Sequence, residues 1–143
     1  MITLIGNLKG GTGKSTITFN LALWAATRQN VHVVVYDLDP QSTTSDAFEI
    51  RTEAGYLPAV KPQRQVEQLG SEGKNTQVLV DMGLADMRAT ELAIQRADQI
   101  LIPVSPSQAD VWSTQRFLKM IAEIRDQKPV KLLALLKDRK SVV

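Results

Sequence analysis

Leu4-Ile5-Gly6-Asn7-Leu8-Lys9-Gly10-Gly11-Thr12-Gly13-Lys14-Ser15-Thr16 decides how the rest of the chain is read. Ile2 to Ile5 is a short apolar run of strand length. The glycines after it permit a tight turn whose backbone N–H groups converge on an anion. Beyond Lys14 the apolar residues fall into a helical period, so the turn opens a helix, where the N-terminal dipole also favours negative charge. In such a phosphate-binding loop the amides of Gly10, Gly11, Thr12 and Gly13 cradle the phosphates. Lys14 reaches the β- and γ-phosphates, Ser15 places its hydroxyl on Mg²⁺, and Thr16 completes the phosphate-binding set.

The loop departs from the general pattern at Leu8, where a glycine is usual, and adds a second lysine at Lys9. Lys9-Gly10-Gly11-Thr12-Gly13-Lys14-Ser15-Thr16 resembles the deviant Walker A motif of the ParA/MinD ATPases. That resemblance implies that Lys9 crosses a dimer interface and touches the ATP held by a partner subunit.

Downstream, a helix is expected from Ser15 to Arg28, with Ile17, Leu21, Trp24 and Ala25 as its apolar positions and Asn30 as a left-handed end. Val31 to Tyr36 reads as a second strand with His32, the only histidine, inside it in a structural role. Strand, loop, helix and strand make a βαβ unit with a right-handed crossover. The second strand ends in Asp37-Leu38-Asp39-Pro40-Gln41. Alternation puts Asp37 and Asp39 on one side, at the carboxyl end of a strand where α/β sheets bind ligands. Two acids facing a phosphate loop suit Mg²⁺ and water. The string also resembles the family's D-x-D-P-Q signature, which implies that Asp39 positions or activates the attacking water.

Gln77-Val78-Leu79-Val80-Asp81 is an apolar run ending in an acid, as a Walker B strand does. Asp81 is expected to hold Mg²⁺ with Ser15 and Asp37. Met82-Gly83 stands where relatives often carry proline. Between 42 and 76 the pattern is weaker. A short helix from Ser42 to Arg51 packing on Phe48, a strand over Leu57 to Val60, a helix opened by Pro62 through Val66 and Leu69, and a polar turn over Gly70 to Asn75 are expected.

Asp86 to Ala97 reads as a helix and Ile100 to Val104 as a strand. Ser107 with Asp110 caps a helix running to Gln127, with Trp112 and Phe117 packing, and Val130 to Leu136 is a last strand. The segment from Ala97 to Pro106 resembles the family's fifth element, and Asp110 and Trp112 fall where members often carry an acid and an aromatic.

Composition agrees with a globular protein: 143 residues, 43% hydrophobic and 22% charged, with a net charge of +2. There are no cysteines, which excludes disulfide, thiolate-metal and cysteine-nucleophile chemistry. It also separates the chain from the nitrogenase iron-protein and arsenical-pump branches that share the deviant loop. Neither a signal peptide nor a membrane span is expected, so the reading is cytoplasmic, or nucleoid-associated if the protein binds DNA. Lys137 to Val143 is too short and polar for the amphipathic membrane helix of MinD proper. Lys131, Lys137, Arg139 and Lys140 read as a solvated basic cluster. Only Tyr36 and Tyr56 occur, unlike the tyrosine-rich tails of bacterial tyrosine kinases.

The expected fold class is therefore α/β: a P-loop NTPase with a mostly parallel twisted sheet flanked by helices on both faces. Residues 1–143 are read as one ATPase domain. It is most like small ParA partition ATPases without an N-terminal helix-turn-helix domain, and its C-terminal part is read as missing relative to the family. The resemblance implies binding of ATP and ADP with Mg²⁺, an ATP-sandwich homodimer, and slow hydrolysis stimulated by a ParB-like partner. It also implies cycling on nonspecific DNA in plasmid or chromosome partition or cargo positioning, although the region that would hold DNA lies beyond the resemblance. The alternatives are a non-catalytic nucleotide-binding or interaction module, and a small-molecule ligase or kinase on the same fold.

Overall fold

The computed structural model describes residues 1–9, 13–28 and 31–136. Within them five parallel strands, β1 (Ile2–Ile5), β2 (His32–Asp37), β3 (Thr76–Asp81), β4 (Gln99–Val104) and β5 (Lys131–Leu136), form one sheet in the order β2-β3-β1-β4-β5. Four helices connect or flank them: α1 (Lys14–Ala26), α2 (Thr43–Glu53), α3 (Met87–Arg96) and α4 (Gln108–Arg125).

Strand alternation sends successive side chains to opposite faces, and each face has its own core. Ile5, Val35 and Leu79 pack with Ala22 of α1 and Phe48 of α2. Leu4, Val80, Ile100 and Ile102 pack with Ile94 of α3 and Phe117 and Ile121 of α4. The β1-to-β2 connection moves toward one edge with α1 on the first face. The β4-to-β5 connection moves toward the other edge with α4 on the second face. Opposite directions on opposite faces are what a constant crossover hand requires. The register aligns Ile5 with Asp81 and Asp81 with Asp37, so three strand ends finish level at the carboxyl edge.

Several expectations need correction. On α1 the buried positions are Thr18, Ala22 and Ala25, whereas Trp24 is 58% exposed with the Arg28 guanidinium 4.4 Å over its ring. Small residues at that spacing let the helix lie close to the sheet, and the buried Thr18 hydroxyl is satisfied by the Lys14 carbonyl at 2.7 Å. The expected cap Asn30 lies outside the described residues. His32 is the first residue of β2 and is exposed, not mid-strand. Trp112 is 59% exposed on α4, so the packing aromatic of that helix is Phe117 alone.

The two elements expected between Leu57 and Leu69 are neither a strand nor a helix. Instead Gln63 pairs along the outer edge of β2, its N–H donating to the Val35 carbonyl (2.8 Å) and its carbonyl accepting from the Asp37 N–H (2.7 Å). The edge strand claims the backbone groups a helix would have used. Val66 and Leu69 still reach the core. At the far end of the sheet the buried Arg125 donates to the carbonyls of Ile94 (2.7 Å) and Ala97 (3.0 Å), holding the end of α3 against the end of α4. All six residues of β5 are exposed.

Candidate functional site

The carboxyl edge of β1, β2 and β3 faces the start of α1, and a cavity of about 480 Å³ opens there. Gly13 sits at φ 81°, a left-handed position that suits glycine, and its carbonyl accepts the first helical bond from the Ile17 N–H (3.0 Å). Lys14 and Ser15 occupy the first turn of α1. Gly10, Gly11 and Thr12 lie outside the described residues. Thr16 is exposed on the same turn and borders the cavity.

Lys14 Nζ forms ion pairs with Asp39 Oδ2 and, at 3.1 Å, with Asp81 Oδ1. Ser15 Oγ donates to Asp81 Oδ2 at 2.9 Å. Residues 14, 15, 39 and 81 therefore converge from one helix end and two strand ends. Burial alone would lower the Lys14 pKa, but hydrogen bonds and charge from Asp39 and Asp81 outweigh it and raise it above the ordinary lysine value. Asp39 is the converse: burial would raise it, yet its hydrogen bond from Lys14, with that of the Gln41 N–H, holds it below the usual carboxylate range. Asp81 is fully buried, and that burial pushes its pKa up despite Lys14, Thr44 and Ser15.

Asp37 is placed differently from its expected role beside Ser15. Its Oδ2 accepts from the Ser45 N–H (2.9 Å) and Ser45 Oγ (2.6 Å), its Oδ1 accepts from the Asp39 N–H (3.1 Å), and Arg64 lies 3.7 Å away. Those contacts tie it to the start of α2, to the Asp39 backbone and to Arg64 rather than to Ser15 or Asp81. The donor set that fits a hard cation is the Ser15 hydroxyl at the cavity wall with the Asp81 carboxylate buried directly behind it, both oxygen ligands. Among the described residues no three acidic or histidine side chains cluster as a metal site. A cation here would have to draw further ligands from phosphate and water, as Mg²⁺ commonly does.

Lys9 forms an ion pair with Asp110 of its own chain. The hydrogen bond from Lys9, with the Ser105 N–H at 3.1 Å, holds the Asp110 carboxyl below its ordinary range. The expected cap is present as well, with Ser107 Oγ accepting from the Asp110 N–H at 3.2 Å.

Four residues that the sequence did not single out shape the site. Asn7 is buried and donates to the Pro103 carbonyl (3.0 Å) and Thr114 Oγ1 (3.1 Å), fixing where β1 turns into the loop. Arg64 donates to the Asp39 carbonyl at 3.0 Å and bridges toward Asp37. Thr44 and Ser45 lie in the first turn of α2 and reach Asp81 and Asp37. The hydroxyl run Ser42-Thr43-Thr44-Ser45 directly after Asp39-Pro40-Gln41 was the available signal. Asn7 and Arg64 have no local one. Leu8 is half-buried against the core, which gives the non-glycine position a packing partner.

Residues 3–142 match the model of the CobQ/CobB/MinD/ParA nucleotide binding domain. The chain is 31% identical over 133 residues to the Maintenance of carboxysome distribution protein A of Halothiobacillus neapolitanus, covering 87% of this chain and 60% of that protein. It is 35% identical over 113 residues to the protein of the same name from Gloeobacter kilaueensis, covering 77% and 51%. It thus spans little more than half the length of the curated relatives it matches. A plasmid partition protein of Borrelia burgdorferi B31 bound to AMPPNP superposes with a TM-score of 0.74 at 17% identity, over 99% of this chain and 77% of that one. The expected α/β P-loop fold is the observed one. With the family model matching nearly its whole length, the chain belongs to the CobQ/CobB/MinD/ParA nucleotide binding domain family.

Proposed function

We propose that this chain is a ParA-type P-loop ATPase that binds Mg²⁺-ATP, pairs with a second copy across the nucleotide, and hydrolyses slowly as a switch in partition or cargo positioning. The observation that carries this reading is the convergence, from distant parts of the sequence, of Lys14, Ser15 and Asp39 on one cavity with Asp81 buried behind them against Lys14 and Ser15. The carboxysome-distribution and plasmid-partition names of the relatives support positioning as the class of task.

In this reading the amides of Gly10 to Gly13, with Lys9, Lys14, Ser15 and Thr16, bind the phosphates. Lys14 exchanges its Asp39 partner for γ-phosphate oxygens and stabilises the charge that grows on them during transfer. That exchange frees the Asp39 carboxylate, which then orients the attacking water. Ser15 and Asp81 hold the cation, and Asp37 anchors α2 instead of ligating. Bound Mg²⁺ neutralises charge on the phosphate oxygens. Lys9 leaves Asp110 to reach the nucleotide of the partner copy, which ties hydrolysis to pairing. A ParB-like protein as stimulator, and nonspecific DNA as surface, belong to the same proposal. No described helix is long and apolar enough to cross a membrane.

Calorimetry with Mg²⁺-ATP and Mg²⁺-ADP, with oligomer mass read on the same samples, tests it. Binding of both with a dimer only in ATP is the expected result. Binding without a dimer leaves a nucleotide-binding module, and absence of binding overturns the proposal.

A further inference from the structure

Thr44 lies in the first turn of α2 and is buried, with its Oγ1 2.8 Å from Asp81 Oδ2 and 3.3 Å from the Ser15 carbonyl. A hydroxyl has one proton to give, and the charged oxygen is both nearer and the stronger acceptor. Asp81 Oδ2 thus accepts from Ser15 Oγ and Thr44 Oγ1, while Oδ1 accepts from Lys14. Without Thr44, the oxygen that faces Ser15 would be held by Ser15 alone.

The neighbouring Ser45 does the matching work on the adjacent strand, giving both its N–H and its hydroxyl to Asp37 Oδ2. Asp37 and Asp81 are register partners on β2 and β3. Two consecutive residues of α2 therefore grip two side-by-side carboxylates, at the helix end where the dipole favours negative charge. The segment that reaches this grip begins at Asp39, whose Oδ1 accepts from the Gln41 N–H at 2.9 Å.

We propose that Thr44 is a positioning residue: its hydroxyl aims the Asp81 carboxylate at Ser15 and fastens the start of α2, and with it the Asp39 loop, to the cation end of the site. This rests on the reading of Ser15 and Asp81 as the cation ligands. Groups that orient a ligand without touching the metal commonly govern affinity as strongly as some ligands do.

Thr44→Val keeps the shape and removes the hydroxyl, and Thr44→Ser keeps the hydroxyl. Two readouts are taken on the whole 143-residue chain of each variant. Hydrogen exchange of the amides of residues 43–47 is followed without nucleotide. The gain in ATP affinity on adding Mg²⁺, over ATP with a chelator, is measured by calorimetry. Thr44→Val is expected to speed exchange in that turn and to cut the Mg²⁺ gain about tenfold, and Thr44→Ser to restore both. Faster exchange with an unchanged Mg²⁺ gain in Thr44→Val would reduce Thr44 to a helix anchor and overturn its positioning of Asp81. Unchanged exchange would overturn the fastening of α2. A wild-type chain that gains nothing from Mg²⁺ would overturn the cation reading itself, and the exchange data would still decide the α2 half.

Discussion

Lys9 and Asp110, separated by 101 residues in sequence, form an ion pair that joins the glycine loop to the first turn of α4. Asp110 is buried while the Lys9 side chain is about half exposed, so the acid is the fixed partner and the lysine the one free to leave. Lys9→Ala is therefore expected to leave Mg²⁺-ATP affinity within a few-fold of wild type and to abolish the ATP-dependent dimer. Light scattering at matched concentrations decides this, and a persisting dimer would remove Lys9 from the interface.

Lys14 compensates two carboxylates at once, one of them fully buried. Lys14→Ala should abolish measurable nucleotide binding. It should also cost about 1–3 kcal/mol in the nucleotide-free chain, because Asp81 loses a charged donor without gaining water. Asp39→Ala should separate the two functions, keeping nucleotide binding while turnover falls to background. Denaturant unfolding, calorimetry and phosphate release measure the three effects.

Gly83 has no room for a side chain. A Cβ there would stand 1.9 Å from the Leu38 carbonyl oxygen and 3.1 Å from the Asp39 Cα, both backbone atoms. Gly83→Ala must push the Asp39 loop outward, at about 1–3 kcal/mol. Turnover should fall more than nucleotide affinity, since the displaced residue is the one assigned to the water. A variant with wild-type melting temperature and turnover would refute the close approach.

Acid and neutral stability should respond in opposite directions to two aspartates. Asp110 has a folded pKa below its ordinary value, chiefly through the hydrogen bond from Lys9. Its folded form binds fewer protons, so its contribution is present above about pH 4 and is lost as pH falls through the folded value. Asp81 has a raised pKa from burial, so its ionisation weakens the fold as pH rises past the ordinary carboxylate range. Asp110→Asn should make the loss of stability in acid shallower, and Asp81→Asn should make it steeper. Melting temperatures between pH 3 and 7 show the two slopes.

What could be read from sequence followed the range of the interactions involved. Ile2 to Thr16 carries strand, turn and helix start within one local pattern, and the carboxyl-edge acids Asp39 and Asp81 fall at the ends of apolar runs. Both kinds of signal survive without knowledge of neighbours. The orientation of Trp24 was not legible, because its period fits either face and only the sheet's demand for small residues at Thr18, Ala22 and Ala25 decides it. The stretch through Gln63 was misread because an exposed strand edge, invisible locally, outbid the helix. For Asp37, strand alternation gives the side the residue faces but not which hydroxyl it meets there. Ser45 supplied that answer.

β5 carries leucines on both faces, at 132, 133, 135 and 136, and Lys131 is its one charged residue. It stands at the end of the strand order, so among the described residues its outer row of amides and carbonyls meets no other strand. Such an edge is a template for any extended polypeptide that arrives, itself included, and it lacks the prolines, bulges and inward charges that usually blunt one. A net charge of +2 adds little mutual repulsion. Leu133→Lys is therefore expected to weaken pairing of this edge with another strand and to raise the concentration at which the chain stays in solution, as light scattering against concentration would show.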